Sequence, residues 1–330
     1  MPNIAINEPV PFEYHAPTNI KEALALASQY KENFAYLAGG CDLLDMMKRQ
    51  WNTSAHVIDL KSIDGLRGVT TNSNSVTVGA LTKLMEVQQS KVSDGLRAFR
   101  NAASRVASPQ IRNMGTVGGN LLQDSRCPYF RGPFLCYRHG GIVCDAHHGI
   151  NREHAIFGGD RCFTVTPSDL APVVVALDGI IHVHDIDGER TIPAHQLFLS
   201  PGQNIMSMHS LKNGSILTHV EFSVRPGQRS HFIKETVRNA WDFARASVAI
   251  SLELREGRAH NVRIVLGAVA AIPWRDEPAE RVVEGSKVDA ATVEKAVSAS
   301  VKGAEALQYN GYKIGLTRKL VRQALTEIMA

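Results

Sequence analysis

Four of the five cysteines in this 330-residue chain fall within 36 residues, at Cys127, Cys136, Cys144 and Cys162. Their spacing is Cys-x8-Cys-x7-Cys-x17-Cys. Five cysteines are too few for a disulfide scaffold of this length, so the group indicates a metal or cluster site. Four thiolates suit a cubane iron-sulfur cluster and suit tetrahedral zinc equally well, although the spacing lacks the short CxxC pairs usual in zinc modules.

Four histidines lie close to these cysteines in the sequence: His139, His147, His148 and His154. Any of them could join a mixed zinc site. Taken one at a time, we interpret them as surface residues of a loop. A segment that bound no metal would leave several thiols open to oxidation.

Two glycine pairs, Gly39-Gly40 and Gly118-Gly119, are a second possible source of chemistry. Backbone N–H groups can approach a phosphate closely only where no β-carbon intervenes, so paired glycines between a strand and a helix often hold anions. Neither pair fits the GxGxxG or Walker spacing. On these residues alone, both a phosphate site and two tight turns remain open.

The elements that would position these residues follow from local patterns. Thr18 or Asn19 caps an amphipathic helix, and "FAYLAGG" reads as a buried strand that ends at the first glycine pair. Asp187-Gly188 is a strong hairpin signal. Further strands are predicted in "AHVIDL" and "SVTVGAL", a helix in "GLRAFRNAASRVAS", and a helix followed by a strand in "PSDLAPVVVALDGIIHVHD". Helices and strands alternate without a steady βαβ rhythm, which favours an α+β fold.

The pattern changes after residue 226, where a strand-and-helix unit closes on a predicted C-terminal helix. The formal net charge of +4 is too small, and the basic residues too dispersed, to indicate nucleic-acid binding. No apolar run is long enough to span a membrane, and residues 1–14 do not read as a signal peptide. We therefore expect a cytoplasmic protein, or a periplasmic one exported together with a signal-bearing partner.

Six motifs in order resemble the flavin subunits of the molybdenum hydroxylases, and they cover essentially the whole chain. They are "YLAGGCDLLDMMK", "RNMGTVGGNLL", "PSDLAP", "GSILTHVEF", "FIKETVRNAWDFARASVA" and "VRIVLGAVAAIPWR". This family includes the FAD-binding medium chains of xanthine dehydrogenases, carbon monoxide dehydrogenases, aldehyde oxidoreductases and 4-hydroxybenzoyl-CoA reductase. The resemblance implies a two-subdomain FAD-binding domain of the vanillyl-alcohol-oxidase type over residues 1–226 and a C-terminal α+β domain over 227–330.

The resemblance also implies which residues hold the FAD, without a covalent bond. The first FAD loop corresponds to Ala38, Gly39, Gly40, Cys41 and Asp42, with Leu43 near the flavin ring. The second loop corresponds to Thr116, Gly118, Gly119 and Asn120, with Leu122 near the ring. Asp169 corresponds to an acid that binds the FAD ribose, and Leu217 and Lys234 correspond to later flavin contacts. Cys41 departs from the family, where threonine is usual, and a thiol is the poorer hydrogen-bond donor.

Shorter members of this family lack most of residues 123–165, which we call the cysteine insertion. Two groups, the aldehyde oxidoreductases of three chains and 4-hydroxybenzoyl-CoA reductase, have a comparable insertion with a [4Fe-4S] cluster. The resemblance therefore implies that Cys127, Cys136, Cys144 and Cys162 bind such a cluster and that Cys41 does not. Because long insertions are best tolerated at the surface, we expect this one to swing outward from the flavin.

By the same resemblance, the chain is the FAD subunit of a heteromeric oxidoreductase. A large subunit would hold the molybdenum cofactor and a small subunit two [2Fe-2S] clusters, in a dimer of heterotrimers. Electrons would pass through the FAD to an external acceptor, and no residue of this chain would be catalytic towards the substrate. Two alternatives are a free-standing FAD-dependent oxidase and a non-enzymatic assembly subunit that holds zinc.

Overall fold

The computed structural model describes residues 8–329. Residues 1–7, part of the N-terminal segment that we do not interpret as a signal peptide, lie outside the described residues. The described chain contains one parallel sheet and two antiparallel sheets, each with its own helices. This arrangement confirms the predicted α+β class. No helix in residues 8–329 is both long and apolar enough to cross a membrane.

The first subdomain is a small parallel sheet with strand order β1-β3-β2. Its elements are β1 (Glu13–His15), α1 (Ile20–Tyr30), β2 (Phe34–Leu37), α2 (Leu43–Lys48) and β3 (His56–Asp59). Asn19 caps α1 as predicted, because its side-chain oxygen accepts a 2.9 Å hydrogen bond from the Glu22 N–H. Since the strands are parallel, the turn after β2 and the end of β3 lie at the same edge of the sheet.

The second subdomain is an antiparallel sheet with strand order β4-β5-β8-β6-β7. Its strands are β4 (Val69–Thr71), β5 (Ser75–Gly79), β6 (Ile180–Asp185), β7 (Gly188–Pro193) and β8 (Ile216–Ser223). The predicted hairpin joins β6 to β7, but Gly188 pairs with Asp185, so Ile186 and Asp187 form the turn. The turn therefore lies one residue earlier than the Asp-Gly signal indicates.

Helices of the second subdomain pack on this sheet around a core that includes the fully buried Phe99, Val174 and Phe222. They are α3 (Leu84–Gln89), α4 (Arg97–Arg105), α5 (Pro109–Arg112), α6 (Val117–Leu121), α8 (Leu170–Ala176) and α9 (Ala194–Leu197). The cysteine insertion contributes only α7 (Asp145–His148) and a single 3-10 turn, Tyr137–His139. The insertion therefore has little regular structure of its own.

The C-terminal unit is an antiparallel sheet with order β12-β11-β10-β9 and three helices on one side. Its elements are β9 (Gln228–Glu235), β10 (Ala246–Arg255), β11 (Arg258–Gly267), β12 (Trp274–Arg275), α10 (Glu277–Val283), α11 (Ala290–Ala299) and α12 (Tyr312–Glu327). The last helix is the one predicted at the C-terminus. A second core, separate from that of the second subdomain, lies between these helices and the sheet.

Candidate functional site

The first glycine loop, residues 38–42, joins β2 to α2 and packs directly against the second glycine loop, residues 115–120. A β-carbon placed on Gly39 would lie 2.2 Å from the carbonyl oxygen of Met114. Because that contact is with backbone, no side chain can be accommodated at position 39. The structure thus brings the two sequence-predicted loops together, although they are about 75 residues apart in the chain.

The backbone of the first loop has the character of an anion site. Gly40 adopts a φ of +74°, which favours glycine. Within residues 8–329, nothing accepts a hydrogen bond from the N–H groups of Gly39, Gly40, Cys41 or Asp42. Four consecutive N–H groups without an acceptor, at the edge of a parallel sheet, can bind the oxygens of a phosphate.

In the second loop, unlike the first, several backbone N–H groups have acceptors within the chain. The N–H groups of Val117 and Gly118 donate to the carbonyls of Thr82 and Ala80, at 3.0 and 2.8 Å. Thr116 caps α6, and its hydroxyl accepts a 3.1 Å hydrogen bond from Gly119 N–H. The second loop therefore supports the first loop through its fold, and direct contacts of Thr116, Gly118 and Gly119 with FAD stay predictions.

Asn120 connects the second loop to the segment that carries Asp169. Its buried side-chain oxygen accepts hydrogen bonds from Ser168 Oγ at 2.7 Å and from the N–H of Leu170 at 3.3 Å. Asp169 itself precedes α8 and is only 5% exposed. Asn120 thus fixes the position of Asp169 relative to the glycine loops.

Asp169 and Lys234 form a buried ion pair with a 2.6 Å contact between Nζ and Oδ2. Burial raises the pKa of Asp169, and the ammonium of Lys234 opposes that rise. Lys234 Nζ also donates to the carbonyls of Arg105 and Asp242, at 3.1 and 2.9 Å. A lysine ammonium has three protons, so all three donors of Lys234 have acceptors inside the chain. The predicted flavin contacts of both residues stay predictions, and the observed role of Lys234 is to join α4, β9 and Asp169.

The remaining apolar residues of the predicted site lie close to the hydrophobic clusters. Leu217 on β8 is 5% exposed and belongs to the same core as Phe99. Leu122 is partly buried against that core, whereas Ala38 and Leu43 pack against the first subdomain. None of these side chains carries a polar group, so they can only shape an apolar wall next to the loops.

Cys41 lies away from the other four cysteines. Its Sγ points towards the carbonyls of Gly39 and Ile111, at 3.7 and 4.0 Å. Burial raises the pKa of its thiol, which therefore stays protonated near neutral pH. Cys41 thus bridges the first loop to α5 with weak hydrogen bonds.

The other four cysteines, Cys127, Cys136, Cys144 and Cys162, line one small cavity within the insertion. All four are free thiols, and Cys136 and Cys162 are buried. The structure thus brings together the four residues that the spacing grouped. Burial raises the pKa of Cys127 and of Cys162 to about 11. Thiolates at these positions therefore require a bound cation or cluster to stabilise them.

The spacing of the ligand atoms in this cavity bears on the choice between zinc and a cubane cluster. In a tetrahedral zinc site with Zn–S bonds of about 2.3 Å, the sulfurs lie about 3.8 Å apart. Among the described residues, no three ligand atoms of this cavity lie within 4.8 Å of one another. A cubane cluster presents a separate iron to each thiolate and so suits ligands that are further apart.

Of the four histidines of the insertion, His154 is the one for which the interpretation as a surface residue is wrong. It is 4% exposed, and its Nε2 lies 3.2 Å from Cys127 Sγ. Burial and the nearby Lys313 lower the pKa of His154 to about 4. By contrast, His139, His147 and His148 are exposed, as expected. Nothing in the sequence distinguishes His154 from these three, because its burial depends on contacts with the C-terminal unit.

A larger cleft of about 260 Å³ adjoins the cysteine cavity. Cys127, His154 and Thr164 line both the cavity and the cleft. Ser168, Asp169 and Phe243 of the loop before β10 also line the cleft. The cleft thus connects the wall of the cysteine cavity to Asp169, which is predicted to bind the FAD ribose.

The beginning of the insertion holds the first glycine loop by charge. Asp42 Oδ1 pairs with Arg126 Nη2 at 3.0 Å and with Arg131 Nη2 at 2.8 Å. The side chain of Asp42 is therefore oriented towards the insertion. These arginines were not predicted, since only the fold shows that they meet Asp42.

The end of the insertion packs on the C-terminal unit, so the prediction that the insertion swings outward is wrong for this part. Ile156 is 1% exposed and lies in the second core, and its N–H donates to the carbonyl of Val269 at 2.8 Å. Asn310 Nδ2 donates to the carbonyls of His154 and Ala155, at 3.1 and 3.0 Å. The physical reason is that apolar residues in this segment gain more from burial than from exposure.

Comparison with known protein families finds two matches. Residues 10–223 match the FAD binding domain in molybdopterin dehydrogenase. Residues 231–328 match the CO dehydrogenase flavoprotein C-terminal domain. Together the two matches extend over most of the described chain.

Individual relatives agree with these matches. The aldehyde oxidoreductase FAD-binding subunit PaoB of Escherichia coli (strain K12) is 31% identical over 274 residues, which is 82% of this chain and 85% of PaoB. The carbon monoxide dehydrogenase medium chain of Hydrogenophaga pseudoflava is 26% identical over 98% of both chains. A solved structure of carbon monoxide dehydrogenase from that organism aligns with a TM-score of 0.76, covering 97% of this chain and 98% of the other.

Proposed function

The chain belongs to the FAD-binding medium subunits of the molybdenum hydroxylase family, and on that premise we propose that it passes electrons between [2Fe-2S] clusters of a partner subunit and an external acceptor. FAD, when bound, supplies the redox chemistry by taking up and releasing electrons. The role of the chain's own residues is to bind FAD and to hold it between two electron-transfer partners.

The first glycine loop supports this proposal most directly. Its four N–H groups without acceptors would bind the FAD pyrophosphate, and Gly39 keeps that backbone accessible. Asp169, held in place by Asn120 and Lys234, would bind a sugar hydroxyl of FAD. Leu43, Leu122 and Leu217 offer only apolar contact to the ring.

We propose in addition that Cys127, Cys136, Cys144 and Cys162 bind one [4Fe-4S] cluster. The observation that carries this proposal is that the four thiols line one cavity in which no three ligand atoms of the described residues lie within 4.8 Å of one another, a spacing that favours a cluster over a single tetrahedral ion. A cluster there would share Cys127 and His154 with the wall of the 260 Å³ cleft that reaches Asp169. That continuity favours an electron-transfer role for the cluster over a purely structural one.

The partners in this proposal are a large subunit with the molybdenum cofactor and a small subunit with [2Fe-2S] clusters, assembled as a dimer of heterotrimers. Support comes from the relatives, which include a carbon monoxide dehydrogenase medium chain that shares 98% coverage with this chain. The four cysteines are the only cluster-binding group that we find in residues 8–329, so further redox centres would belong to partners.

The experiment compares two cysteine variants of the complex purified without oxygen. Cys136 lines the cysteine cavity, whereas Cys41 lies beside the glycine loops and serves as the matched control. We expect about four iron atoms per FAD beyond those of the partner subunits in the wild type and in Cys41→Ser. In Cys136→Ser we expect most of that iron and its broad visible absorption to be lost while FAD is retained.

Two results would contradict the cluster. One is an unchanged iron content in Cys136→Ser. The other is stoichiometric zinc in place of the extra iron in the anaerobic wild type. Neither result would affect the FAD assignment, which is measured separately by the flavin released on denaturation.

A further inference from the structure

A second group of metal-binding side chains lies on the parallel sheet, apart from the cysteine cavity. Glu13 and His15 project from β1, and His56 projects from the neighbouring strand β3. Glu13 and His56 are direct partners in the parallel register, and His15 is two residues further along on the same face as Glu13. These three are the only His, Cys, Asp or Glu residues within 8–329 whose ligand atoms converge within 4.8 Å in a group of three.

Two of the three distances between the ligand atoms are close to those around a tetrahedral ion. His15 Nε2 lies 3.2 Å from His56 Nδ1, and His56 Nδ1 lies 3.4 Å from Glu13 Oε2. The other carboxylate oxygen, Oε1, lies 3.9 Å from His15 Nε2. Zinc bonds of about 2.0–2.1 Å to nitrogen or oxygen place two ligand atoms of a tetrahedron about 3.3–3.4 Å apart.

The hydrogen-bonding capacity of the three side chains also favours a cation between them. Two neutral imidazoles that share a hydrogen bond use one proton, and the accepting nitrogen keeps its lone pair for that bond. The carboxylate of Glu13 adds a third electron-rich group, with Oε2 3.4 Å from His56 Nδ1. One cation would satisfy all three atoms at once.

Partial burial and contacts with a neighbouring ring hold the two histidine side chains in place. The two histidine side chains are only 12% and 20% exposed, whereas Glu13 is 64% exposed and leaves an open side for water. Tyr30, the last residue of α1, stacks on His56 with ring centres 3.5 Å apart and also contacts His15. Ligands on strands with fixed rings reach the positional accuracy that metal sites require.

We propose that Glu13, His15 and His56 bind one zinc-like divalent ion, with solvent as the remaining ligand. Two imidazoles and one carboxylate are a ligand set that suits Zn²⁺, and Cu²⁺ or Ni²⁺ would compete for it. Glu13 and His56 are the first residues of β1 and β3, and His15 ends the three-residue β1, whereas the turn with Gly39 and Gly40 follows the far end of β2. The ion would therefore fasten the three-residue edge strand β1 to β3 without touching the FAD site.

The test titrates Zn²⁺ into the purified, chelator-treated complex by calorimetry and records the zinc X-ray absorption edge. We compare wild type with His56→Ala and with Glu13→Gln, a variant of an exposed residue that cannot prevent folding. His182→Ala is the matched control, since His182 contacts a carboxylate, Glu221, at 2.9 Å on the antiparallel sheet but lacks a third ligand.

We expect a zinc ion with only nitrogen and oxygen ligands in the wild type and in His182→Ala. Its affinity should fall at least tenfold in His56→Ala and measurably in Glu13→Gln, with FAD content unchanged. The proposal is overturned if all bound zinc has sulfur ligands, which would assign it to the cysteines. It is also overturned if His56→Ala, with normal FAD content, binds zinc as the wild type does; the residues would then form a hydrogen-bonded pair only.

Discussion

Gly39 and Gly119 both belong to the loops predicted to hold FAD, yet the space around them differs. A β-carbon at Gly39 meets the backbone of Met114, whereas one at Gly119 meets only the hydroxyl of Thr116, at 2.9 Å. Substitution at Gly39 must therefore separate the two loops. Substitution at Gly119 displaces one hydroxyl, and its effect stays local, which makes it the more informative change for ligand binding.

We predict that Gly119→Val gives a folded protein with little FAD. The branched side chain would push aside the Thr116 hydroxyl, and the loss of this cap costs about 1 kcal/mol. The valine side chain would also intrude where the second loop is predicted to meet the FAD pyrophosphate, so the FAD dissociation constant should rise at least about tenfold. Released flavin per protein, together with circular dichroism, measures the two effects.

Gly315→Val is the matched control for that experiment. Gly315 also lies in a helix, α12, and a β-carbon there meets nothing within 4 Å. This variant should keep full flavin content despite the same change of residue type. Full flavin occupancy in Gly119→Val would contradict the assignment of the second loop.

Lys234 shows what a sequence can and cannot predict about a single residue. The resemblance identifies the position, but the contacts of its ammonium lie with residues 65 and 129 positions earlier in the chain. Sequence patterns describe neighbours within a few residues and do not show which distant acceptors a buried lysine will meet. Removing Lys234 would leave Asp169 as a buried, unpaired charge, a loss that typically costs about 3–5 kcal/mol.

At the scale of secondary structure, local signals predicted the elements well. The Asn19 cap, the β6–β7 hairpin and the C-terminal helix α12 were all predicted and are present. The docking of the insertion was not predicted, because the hydrogen bonds from Asn310 to His154 and Ala155 join residues more than 150 positions apart. The same reason applies to Arg131 and Asp42, whose pairing depends on the fold.

Helix α10 begins at a buried carboxyl whose protonation should make the C-terminal unit sensitive to pH. Asp276 is 2% exposed, and burial raises its pKa to about 6. Since the folded pKa is above the usual 3.8, this group contributes full stability below pH 3.8 and loses it as the pH rises through 6. The charged form at neutral pH thus lowers the free energy of unfolding.

We predict that Asp276→Asn raises the thermal midpoint at pH 7.5 and that this gain vanishes near pH 4. The amide can still accept the hydrogen bond from Val301 N–H, and it cannot ionise. The gain corresponds to at most about 3 kcal/mol for a shift of this size. Thermal unfolding of both proteins at the two pH values measures it.

Asp289 provides the control for this pH effect. It caps α11 through a 2.8 Å hydrogen bond from Thr292 N–H, and that bond lowers its pKa. Asp289→Asn should therefore give no gain at pH 7.5. An equal gain in both variants, or a gain for Asp276→Asn that persists at pH 4, would rule out burial of the Asp276 charge as the cause.

At the scale of the whole molecule, the cysteine insertion connects the FAD-binding half with the C-terminal unit. Its beginning pairs with the first glycine loop through Arg126 and Arg131. Its end is held by α12, where the fully buried Lys313 donates to the carbonyls of Glu153 and Ala268, both at 2.9 Å. Cys136 and Cys144 lie between these two attachments in the sequence, and Cys162 follows the second one, so the arrangement of the cysteines depends on both halves of the protein.

Asn310 allows the second attachment to be tested alone. It is fully buried just before α12, and its amide nitrogen donates to the carbonyls of both His154 and Ala155. Its side-chain oxygen accepts a 2.7 Å hydrogen bond from Leu307 N–H. Asn310→Ala would leave these groups without partners, at a cost of about 1–3 kcal/mol for each buried group that water does not reach.

We predict that Asn310→Ala loses the extra iron and becomes protease-sensitive within residues 128–150, while FAD stays bound. The expectation follows because Cys127 and Cys162 flank the segment that Asn310 anchors, whereas the glycine loops pack on each other and meet the insertion at its beginning, through Arg126 and Arg131. Asn213→Ala is the control, since Asn213 also donates to a carbonyl, that of Lys31 at 2.9 Å, but is exposed and distant from the insertion. Iron analysis, released flavin and limited proteolysis of the purified complex measure the three quantities. If Asn310→Ala loses FAD and iron together, the insertion and the FAD site form one cooperative unit, and the separate anchoring inferred from these contacts is wrong.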